Sequence, residues 1–238
     1  MKFRITVLAF GVVVVIIALF AFYRFGDQIW RPYYVKLTGG RTVEEVVEGL
    51  RAKGLGVDRE LLEPLDGLVL LGLKEEKMLE VWGKRKAGGV VKITVFPFTG
   101  FSGGPGPKLR EGDRQIPEGV YGIEYLNPNS RFHLSMKIDY PNAFDRARGR
   151  EDGRQRLGDD IFIHGRSATI GCIPIGDDAI EELFLLVVEV GRENVTVILS
   201  PYDFREERKA IVVDEITWAS ELYALIESAK VRHGLMDD

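Results

Sequence analysis

One histidine and the single cysteine of the chain lie close together in a glycine-rich stretch. His164 follows an apolar run at residues 161–163, and Cys172 comes eight residues later. A free thiol is mostly protonated at neutral pH, and an imidazole that takes up its proton produces the reactive thiolate. The pair therefore predicts nucleophilic catalysis by Cys172 with His164 as the base. The alternative is a buried and inert cysteine, which is the commoner role of a lone one.

Neighbouring glycines suggest how such a pair would be held. The base needs its second ring nitrogen bonded to fix its tautomer, and no carboxylate adjoins it in sequence. The carbonyl group of Gly165 is therefore the predicted partner. Gly171 would let the backbone approach a substrate closely, and the amide groups of Gly171 and Cys172 could form an oxyanion hole.

Short runs of apolar and β-branched residues predict the strands that must position these residues. A turn signal, Gly88-Gly89, separates two of the runs and indicates a hairpin. Many short strands with few helices predict a mainly β domain with peripheral helices. The predicted strands are residues 69–73, 78–82, 90–95, 119–126, 132–138, 161–163 and 195–199.

Three helices are predicted around this sheet. The first covers residues 42–50, where Thr42 and Glu45 have the spacing of a capping box. The second begins at Asp177 as its N-cap and carries an apolar face to residue 188, and the third covers residues 218–229. The arginine-rich segment 146–156 is interrupted by glycine and is expected to be a solvated loop.

The amino terminus carries a membrane signal. Residues 5–23 contain no charge, and as a helix they would rise about 28 Å, enough to cross a bilayer core. The run is longer than a usual signal-peptide core, so we expect an uncleaved membrane anchor over residues 1–24, with a cleaved signal as the alternative. Residues 25–67 then form a linker with a short helical segment, 68–202 the main domain, and 203–238 a C-terminal helical extension.

Composition excludes several classes of protein. The chain has 238 residues, of which 45% are hydrophobic, and a net charge of -4. This balance is typical of a folded domain and shows no basic excess, so we expect no nucleic-acid partner. A single cysteine excludes an intramolecular disulfide and any zinc site built from several thiolates. The histidines also lack the spacing of a metal site, so we predict no metal and no cofactor.

Several motifs resemble the catalytic domain family of L,D-transpeptidases, the YkuD type. The main one is His-Gly at 164–165 followed by Thr-Ile-Gly-Cys-Ile at 169–173. Segments 101–107, 111–121, 127–130 and 140–146 resemble, in order, the murein L,D-transpeptidase-like branch of that family. The resemblance covers roughly residues 68–202. Two departures are a short connection from histidine to cysteine and Pro174, where many members carry arginine.

This resemblance implies an enzyme that acts on peptidoglycan stem peptides. Cys172 would attack the carbonyl group of the diaminopimelate residue and form a thioester, which an amine or water then resolves. The reaction is therefore transpeptidation, or hydrolysis by an L,D-carboxypeptidase or by an amidase that detaches cross-linked protein. A catalytically silent wall-binding module is the third alternative. The implied location is the periplasmic side of the inner membrane, with a single membrane pass.

The resemblance also suggests residues that bind substrate. Thr169 matches the Ser/Thr of the signature, and would either brace the loop or contact substrate. Arg166 could bind a substrate carboxylate, although an arginine in a polar loop is more often solvated. His133, predicted to lie in a strand, corresponds to a strand that leads toward the site in the family. Tyr140 and Asn142 begin a stretch that approaches it.

Overall fold

The computed structural model describes residues 14–15, 37, 39–54, 65–205 and 216–236. Met1–Arg41 and Thr42–Asp238 are two separate compact units, and the second contains the whole sheet. The predicted membrane segment, residues 1–24, lies outside the described residues except for 14–15. Within the described ranges, no helix is both long and apolar enough to cross a membrane.

Eight strands form one sheet, with the order β3-β2-β1-β8-β4-β5-β6-β7. Neighbouring strands are antiparallel except for two parallel pairs, β1 with β8 and β6 with β7. The mainly β fold with peripheral helices is thus confirmed. The strands are β1 (Leu65–Leu73), β2 (Met78–Arg85), β3 (Val90–Pro97), β4 (Gly119–Asn127), β5 (Ser135–Ile138), β6 (Phe162–His164), β7 (Ile173–Pro174) and β8 (Val195–Ser200).

Within residues 39–54, 65–205 and 216–236, four α-helices accompany the sheet: α1 (Val43–Ala52), α2 (Ala143–Glu151), α3 (Asp177–Val190) and α4 (Ala219–Arg232). Helix α1 begins with the predicted capping box, in which the Thr42 hydroxyl accepts from the Glu45 amide. Helix α2 corrects the first part, residues 146–151, of the loop that we expected for segment 146–156, whereas residues 152–156 are neither helix nor strand. It begins with a second capping box, formed by Asn142 and Asp145.

The sheet is buried on both faces, and β1 shows this most clearly. Leu68 and Leu70 belong to the core shared with α3, whereas Val69 and Leu71 belong to a second core shared with α4. Successive side chains of a strand point to opposite faces, so a strand that is buried on both sides is apolar without interruption. The C-terminal segment packs closely on the sheet, where Ile226 of α4 is fully buried.

A buried polar network joins the end of β1 to β4 and α4. The Lys74 ammonium donates to the carbonyl oxygens of Gly106 and Ile116, at 2.8 and 2.9 Å, and to Oε1 of Glu118 at 2.9 Å. The other carboxylate oxygen of Glu118 accepts from the Tyr223 hydroxyl at 3.0 Å. Both charged side chains are completely buried. All three ammonium protons and both carboxylate oxygens therefore have partners.

Strand β4 contains a β-bulge at Glu124. Ile123 pairs with Ile138 of β5, but the next pair is Tyr125 with Lys137, so Glu124 is an extra residue. An extra residue reverses the face to which the following side chains point. Ile123 is therefore in the core, whereas Tyr125 is 40% exposed on the opposite face.

Candidate active site

Strands β6 and β7 bring His164 and Cys172 to the same face of the sheet. The two strands run parallel, with Ile163 opposite Ile173 and His164 opposite Pro174. Both isoleucines are fully buried in the core. Because side chains alternate, His164 and Cys172, each one residue away from an isoleucine, point to the other face. His164 ends β6 and Cys172 immediately precedes β7, so the two residues are offset by two positions along the parallel register.

The His164 imidazole is held in one orientation and keeps one nitrogen unpaired. Its Nδ1 lies 2.6 Å from the carbonyl oxygen of Gly165, and because a carbonyl only accepts, Nδ1 carries the proton. The Phe132 ring packs against it with ring centroids 4.5 Å apart. Nε2 is buried and has no hydrogen-bond partner among the described residues. Burial lowers the pKa of His164, opposed by the Gly165 contact, so the imidazole is neutral at pH 7.

Gly165 must be a glycine because its surroundings leave no room for a side chain. A Cβ atom there would lie 2.5 Å from Oδ1 of Asp177 and 2.7 Å from the carbonyl oxygen of Phe132. The same Asp177 oxygen accepts from the Arg166 amide at 2.7 Å. Asp177 is therefore not the N-cap of α3, which follows Gly176 without a side-chain cap. Its carboxylate anchors the loop beside the histidine instead.

The Cys172 thiol is half-buried and protonated. Its Sγ donates to the carbonyl oxygen of Asp160 at 3.5 Å and forms no hydrogen bond with His164. Burial raises the pKa of Cys172, and a backbone hydrogen bond from Phe162 opposes this rise. The resting pair is therefore a neutral thiol and a neutral imidazole, not the thiolate that the sequence suggested.

The Thr169 hydroxyl organises the loop that carries the thiol. Its Oγ1 accepts from the amides of Cys172 and Gly171, at 2.9 and 3.2 Å, and donates to the Cys172 carbonyl at 2.7 Å. Both amides that we expected in an oxyanion hole are thus occupied in this structure. Gly171 has a φ of +128°, and a Cβ atom there would lie 3.0 Å from the Gln115 carbonyl oxygen, so a close main-chain contact already requires glycine.

Comparison with known proteins agrees with this geometry. The family model of the L,D-transpeptidase catalytic domain, YkuD, matches residues 68–198. The chain belongs to this family. Its relative "Putative L,D-transpeptidase YafK" of Escherichia coli K12 is 34% identical over 134 residues, which cover 54% of this chain and 52% of YafK. The chain thus spans about half the length of the curated relative.

Solved structures with lower similarity include two bacterial proteins. The helical cell shape determining protein Pgp2 from Campylobacter jejuni is 23% identical with a TM-score of 0.48, covering 68% of this chain and 56% of Pgp2. Bd1075 from Bdellovibrio bacteriovorus is 21% identical with a TM-score of 0.42, covering 70% of this chain and 58% of Bd1075.

Two of the predicted substrate residues of this L,D-transpeptidase domain serve the fold instead. Tyr140 is buried in the core, and its hydroxyl donates to the Leu157 carbonyl at 3.0 Å. Asn142 caps α2 and donates to the Val120 carbonyl at 2.9 Å. It also lines a cavity of about 630 Å³ between α2 and α4 whose lining includes neither Cys172 nor His164. The polar side-chain groups of Tyr140 and Asn142 therefore already have hydrogen-bond partners within the fold.

Arg166 and His133, which were also predicted to bind substrate, border the site. The side chain of Arg166 is exposed, and its guanidinium has no hydrogen bond or ion pair in the described part of the chain. His133 does not lie in a strand, because β5 begins at Ser135 and His133 has a φ of +74°. Its Nε2 lies 2.7 Å from Oε1 of Glu181, which also accepts from Lys53 at 3.0 Å. Substrate binding by Arg166 or His133 stays a prediction.

Sequence reasoning missed two residues that contact the pair. Phe132 packs on the imidazole, and Asp160, with a φ of +54°, offers the carbonyl group that holds the thiol. A non-glycine residue with positive φ is uncommon outside Asn and Asp, so the Asp159-Asp160 step was the available signal for a special turn. The role of Phe132 depends on tertiary packing and leaves no local signal.

Proposed function

We propose that the chain is a cysteine-dependent acyltransferase of the cell wall, with Cys172 as nucleophile and His164 as base. The substrate is a peptidoglycan stem peptide, the substrate class of the L,D-transpeptidase family. One observation carries the proposal: a buried imidazole nitrogen that has no hydrogen-bond partner in the described part of the chain shares a face with the only thiol of the sequence. An unpaired buried acceptor costs free energy, so its retention indicates a position kept for a proton that arrives during the reaction.

The neutral resting pair defines the order of events. When a stem peptide binds, the thiol turns from the Asp160 carbonyl to Nε2 of His164. The proton moves from Sγ to Nε2 as Sγ bonds to the peptide carbonyl carbon, and the carbon–nitrogen bond then breaks while the imidazolium protonates the leaving amine. A thioester on Cys172 and a neutral imidazole remain.

The Gly165 carbonyl supports both proton transfers. It fixes the tautomer in which Nε2 is the acceptor, and it stabilises the imidazolium that forms during attack. An amine or water next attacks the thioester, gives its proton to Nε2, and releases the free thiol of Cys172 when the imidazolium returns the proton. The oxyanion formed in each step requires donors. The Gly171 and Cys172 amides can donate to the oxyanion only if at least one of these amides no longer donates to the Thr169 hydroxyl.

The short connection between His164 and Cys172 favours water as an acceptor. In that connection Arg166, Ser167, Ala168 and Ile170 are all exposed, and Ile170 is 77% exposed. Selective aminolysis requires that solvent is excluded and that the amine is oriented. A loop this short and open does neither, so hydrolysis of the thioester competes with transfer.

The exposed Arg166 guanidinium is the proposed contact for a stem-peptide carboxylate. Its main chain is anchored by Asp177, and its carbonyl oxygen accepts from the Thr99 hydroxyl, so the residue is fixed while the side chain remains accessible. A guanidinium binds a carboxylate through two parallel hydrogen bonds. We further propose that residues 1–24 anchor the chain in the inner membrane and that the catalytic domain is periplasmic, where its substrate lies.

The thioester is the decisive species to detect. Wild-type protein and Cys172→Ala would be incubated with a tetrapeptide stem, quenched in acid, and weighed intact by mass spectrometry. We expect an added mass equal to the acyl tripeptide on the wild-type protein only. An adduct on Cys172→Ala, or no adduct and no product with wild-type protein, would contradict the proposal.

The acceptor is decided by product partition in the same reaction. With a donor tetrapeptide and a millimolar acceptor amine, we expect at least as much hydrolysed as cross-linked product. A majority of cross-linked product would show that another part of the site excludes water and would restore transpeptidation as the main reaction.

A further inference from the structure

The arginines of segment 146–156 differ in whether they have a carboxylate partner. Arg148 and Arg156 each form ion pairs with glutamates. Arg146 and Arg150 are exposed, and their guanidinium groups have no ion pair or hydrogen bond within the described ranges. Two cations of this segment are therefore not paired with any carboxylate that the structure describes.

The two unpaired arginines lie on one face of α2. Arg146 and Arg150 are four residues apart, and residues at this spacing are neighbours on a helix surface. Two like charges at this spacing destabilise a helix. Arg150 lies in the last turn, where a cation stabilises the helix dipole, but Arg146 does not. Helix stability therefore does not explain why the two arginines are neighbours.

A cavity of about 460 Å³ opens between this face of α2 and the chain that follows the helix. It is here called the arginine cavity, and its lining contains three guanidinium groups and no carboxylate. The lining residues are Arg146, Arg150, Gly153, Arg154, Gln155 and Leu157.

Close contacts with Gly149 hold the returning chain against α2. The Arg154 amide donates to the Gly149 carbonyl oxygen at 2.7 Å. Leu157 packs directly on Gly149, where a Cβ atom would lie 2.9 Å from both methyl carbons of the leucine. Gly153 has a φ of +68°, the left-handed conformation that commonly ends a helix. The main chain therefore defines the walls of the arginine cavity.

Arg154 presents a fixed guanidinium group to the cavity. Its Nη1 donates to the Leu109 carbonyl oxygen at 2.8 Å, and its Nε donates to Oδ2 of Asp152 at 3.0 Å. The guanidinium also lies over the Trp218 ring, 5.6 Å from the centroid. Nη2 lies 2.8 Å from the same Asp152 oxygen but is buried and has no hydrogen bond to the described residues. A buried donor without an acceptor costs free energy, which a bound anion would recover.

We propose that the arginine cavity binds the phosphate group of a phosphate monoester. Guanidinium groups bind carboxylates and phosphates through paired hydrogen bonds. One guanidinium occupies both oxygens of a carboxylate, whereas a phosphate offers three oxygens, so Arg146, Arg150 and Arg154 can all contribute. A monoester carries nearly two negative charges at pH 7, which the two unpaired arginines balance.

The volume favours an ester over inorganic phosphate. The cavity lies in the size range of small-molecule sites, roughly 300–1,000 Å³, and is larger than a phosphate ion. The amide of Gln155 can hydrogen-bond a hydroxyl group of the alcohol part, and Leu157 can contact its carbon atoms. This inference is independent of the proposed function, because neither Cys172 nor His164 lines the cavity.

Calorimetry on the full-length protein tests the site with four probes at equal pH and ionic strength. The probes are glycerol 3-phosphate, inorganic phosphate, glycerophosphoglycerol and acetate. We expect the monoester to bind tightest and acetate weakest. Inorganic phosphate bound as tightly as glycerol 3-phosphate would contradict an ester, and tighter binding of the diester would contradict the charge balance. Equal binding of acetate, or no binding of glycerol 3-phosphate, would overturn the proposal.

Substitution of the unpaired arginines should remove binding. Arg150→Gln should weaken glycerol 3-phosphate by about tenfold or more, because a charge-assisted pair of hydrogen bonds is lost. Arg150→Lys should recover only part of the affinity, since an ammonium lacks the planar fork of a guanidinium. The double variant Arg146→Gln/Arg150→Gln should show no binding. Unchanged affinity in the double variant would show that the phosphate binds elsewhere and that the proposal is wrong.

Arg156→Gln is the matched control. Arg156 belongs to the same segment but pairs with Glu111 and does not line the cavity, so its loss should change the affinity by less than about twofold. Equal losses in Arg156→Gln and Arg150→Gln would mean that general positive charge attracts the anion. Without ligand, Arg146→Gln/Arg150→Gln should keep or raise the unfolding temperature, because repulsion is relieved. A lower unfolding temperature would show that the two arginines support the fold instead.

Discussion

Two polar clusters in this molecule differ in how completely they are satisfied. The Lys74–Glu118 network is fully buried, and each of its charged atoms has a hydrogen-bond partner. The His164–Cys172 pair lies on the same sheet, yet Nε2 of the imidazole has none among the described residues. The first arrangement stabilises one conformation. The second leaves a free acceptor and a weakly held thiol, which are what proton transfer requires.

The difference between the two clusters predicts which substitutions destabilise the fold and which reduce activity. Removing one partner from the satisfied network leaves a buried charge unpaired, so the variant loses unfolding free energy. Removing the Cys172 thiol takes away a group that contributes little to stability, so the expected loss is in catalysis. The following predictions test this division, beginning with the largest effect.

Loss of either member of the pair should abolish turnover. We expect Cys172→Ala and His164→Ala each to reduce kcat by about 10³-fold or more, and the double variant to be no worse than the worse single one, because the two act as a unit. Urea unfolding should show little loss of stability for Cys172→Ala. A rate above one tenth of wild type for Cys172→Ala would rule out its assignment as nucleophile.

Breaking the Lys74–Glu118 pair should cost about 3–5 kcal/mol of unfolding free energy, measured by urea denaturation of Glu118→Gln. The double variant Lys74→Met/Glu118→Gln should recover part of that loss, because no buried ammonium remains unpaired. Glu124→Gln, which breaks an exposed pair with Lys137, is the matched control and should cost less than about 1 kcal/mol. Equal losses for Glu118→Gln and Glu124→Gln would mean that burial does not set the cost.

Thr169→Val should have an intermediate effect on both properties. It keeps the shape of the side chain but removes the hydroxyl that joins the Gly171 and Cys172 amides to the Cys172 carbonyl. We expect a loss of about 1–2 kcal/mol in stability, by thermal or urea unfolding, and a lower kcat through misplacement of the thiol. Thr169→Ser should restore both. An increase in kcat would instead show that the hydroxyl blocks the oxyanion donors.

The smallest effect concerns the pH dependence of the free pair. Because the pKa of Cys172 is raised, its thiolate fraction at pH 7 is lower than that of an ordinary cysteine, and iodoacetamide should alkylate it more slowly than in urea-unfolded protein. The lowered pKa of His164 keeps the base form at lower pH, so the acid limb of kcat/KM should lie below the ordinary histidine value. Faster alkylation in the native protein would indicate a preformed thiolate.

Helices were predictable where local signals and an apolar face coincide. Thr42 caps a helix with buried valines and Glu45 lies in its first turn, and α1 was predicted correctly. Asn142 and Asp145 give the same local signal, but the only buried residue of α2 is Gly149. Segment 146–156 therefore has no apolar periodicity, and its helix depends on tertiary contacts such as those of Arg148 with Glu221.

The proposed catalytic pair could be predicted from sequence because its chemistry is tied to residue type, and few side chains can act as nucleophile or base. The groups around this pair could not be predicted from sequence, because they act mainly through backbone atoms and side-chain packing. The Asp160 carbonyl and the Phe132 ring act through positions that only the folded chain defines. The burial of Tyr140 could not be predicted for the same reason, since sequence gives the residue type but not the face to which it points.

The central position of β8 determines when this domain can fold. Strand β8 lies between β1 and β4 and thereby joins the β3-β2-β1 part of the sheet to the β4-β5-β6-β7 part, whose strands β6 and β7 precede and follow Cys172. Among the described residues it is also the last strand in chain order, so β1 pairs with a strand that is synthesised much later, and such long-range pairing makes folding slow. A nascent chain that ends before Val195 contains the strands of both parts but lacks the strand that pairs with each of them. The surroundings of Cys172 are therefore completed only after β8 has been synthesised.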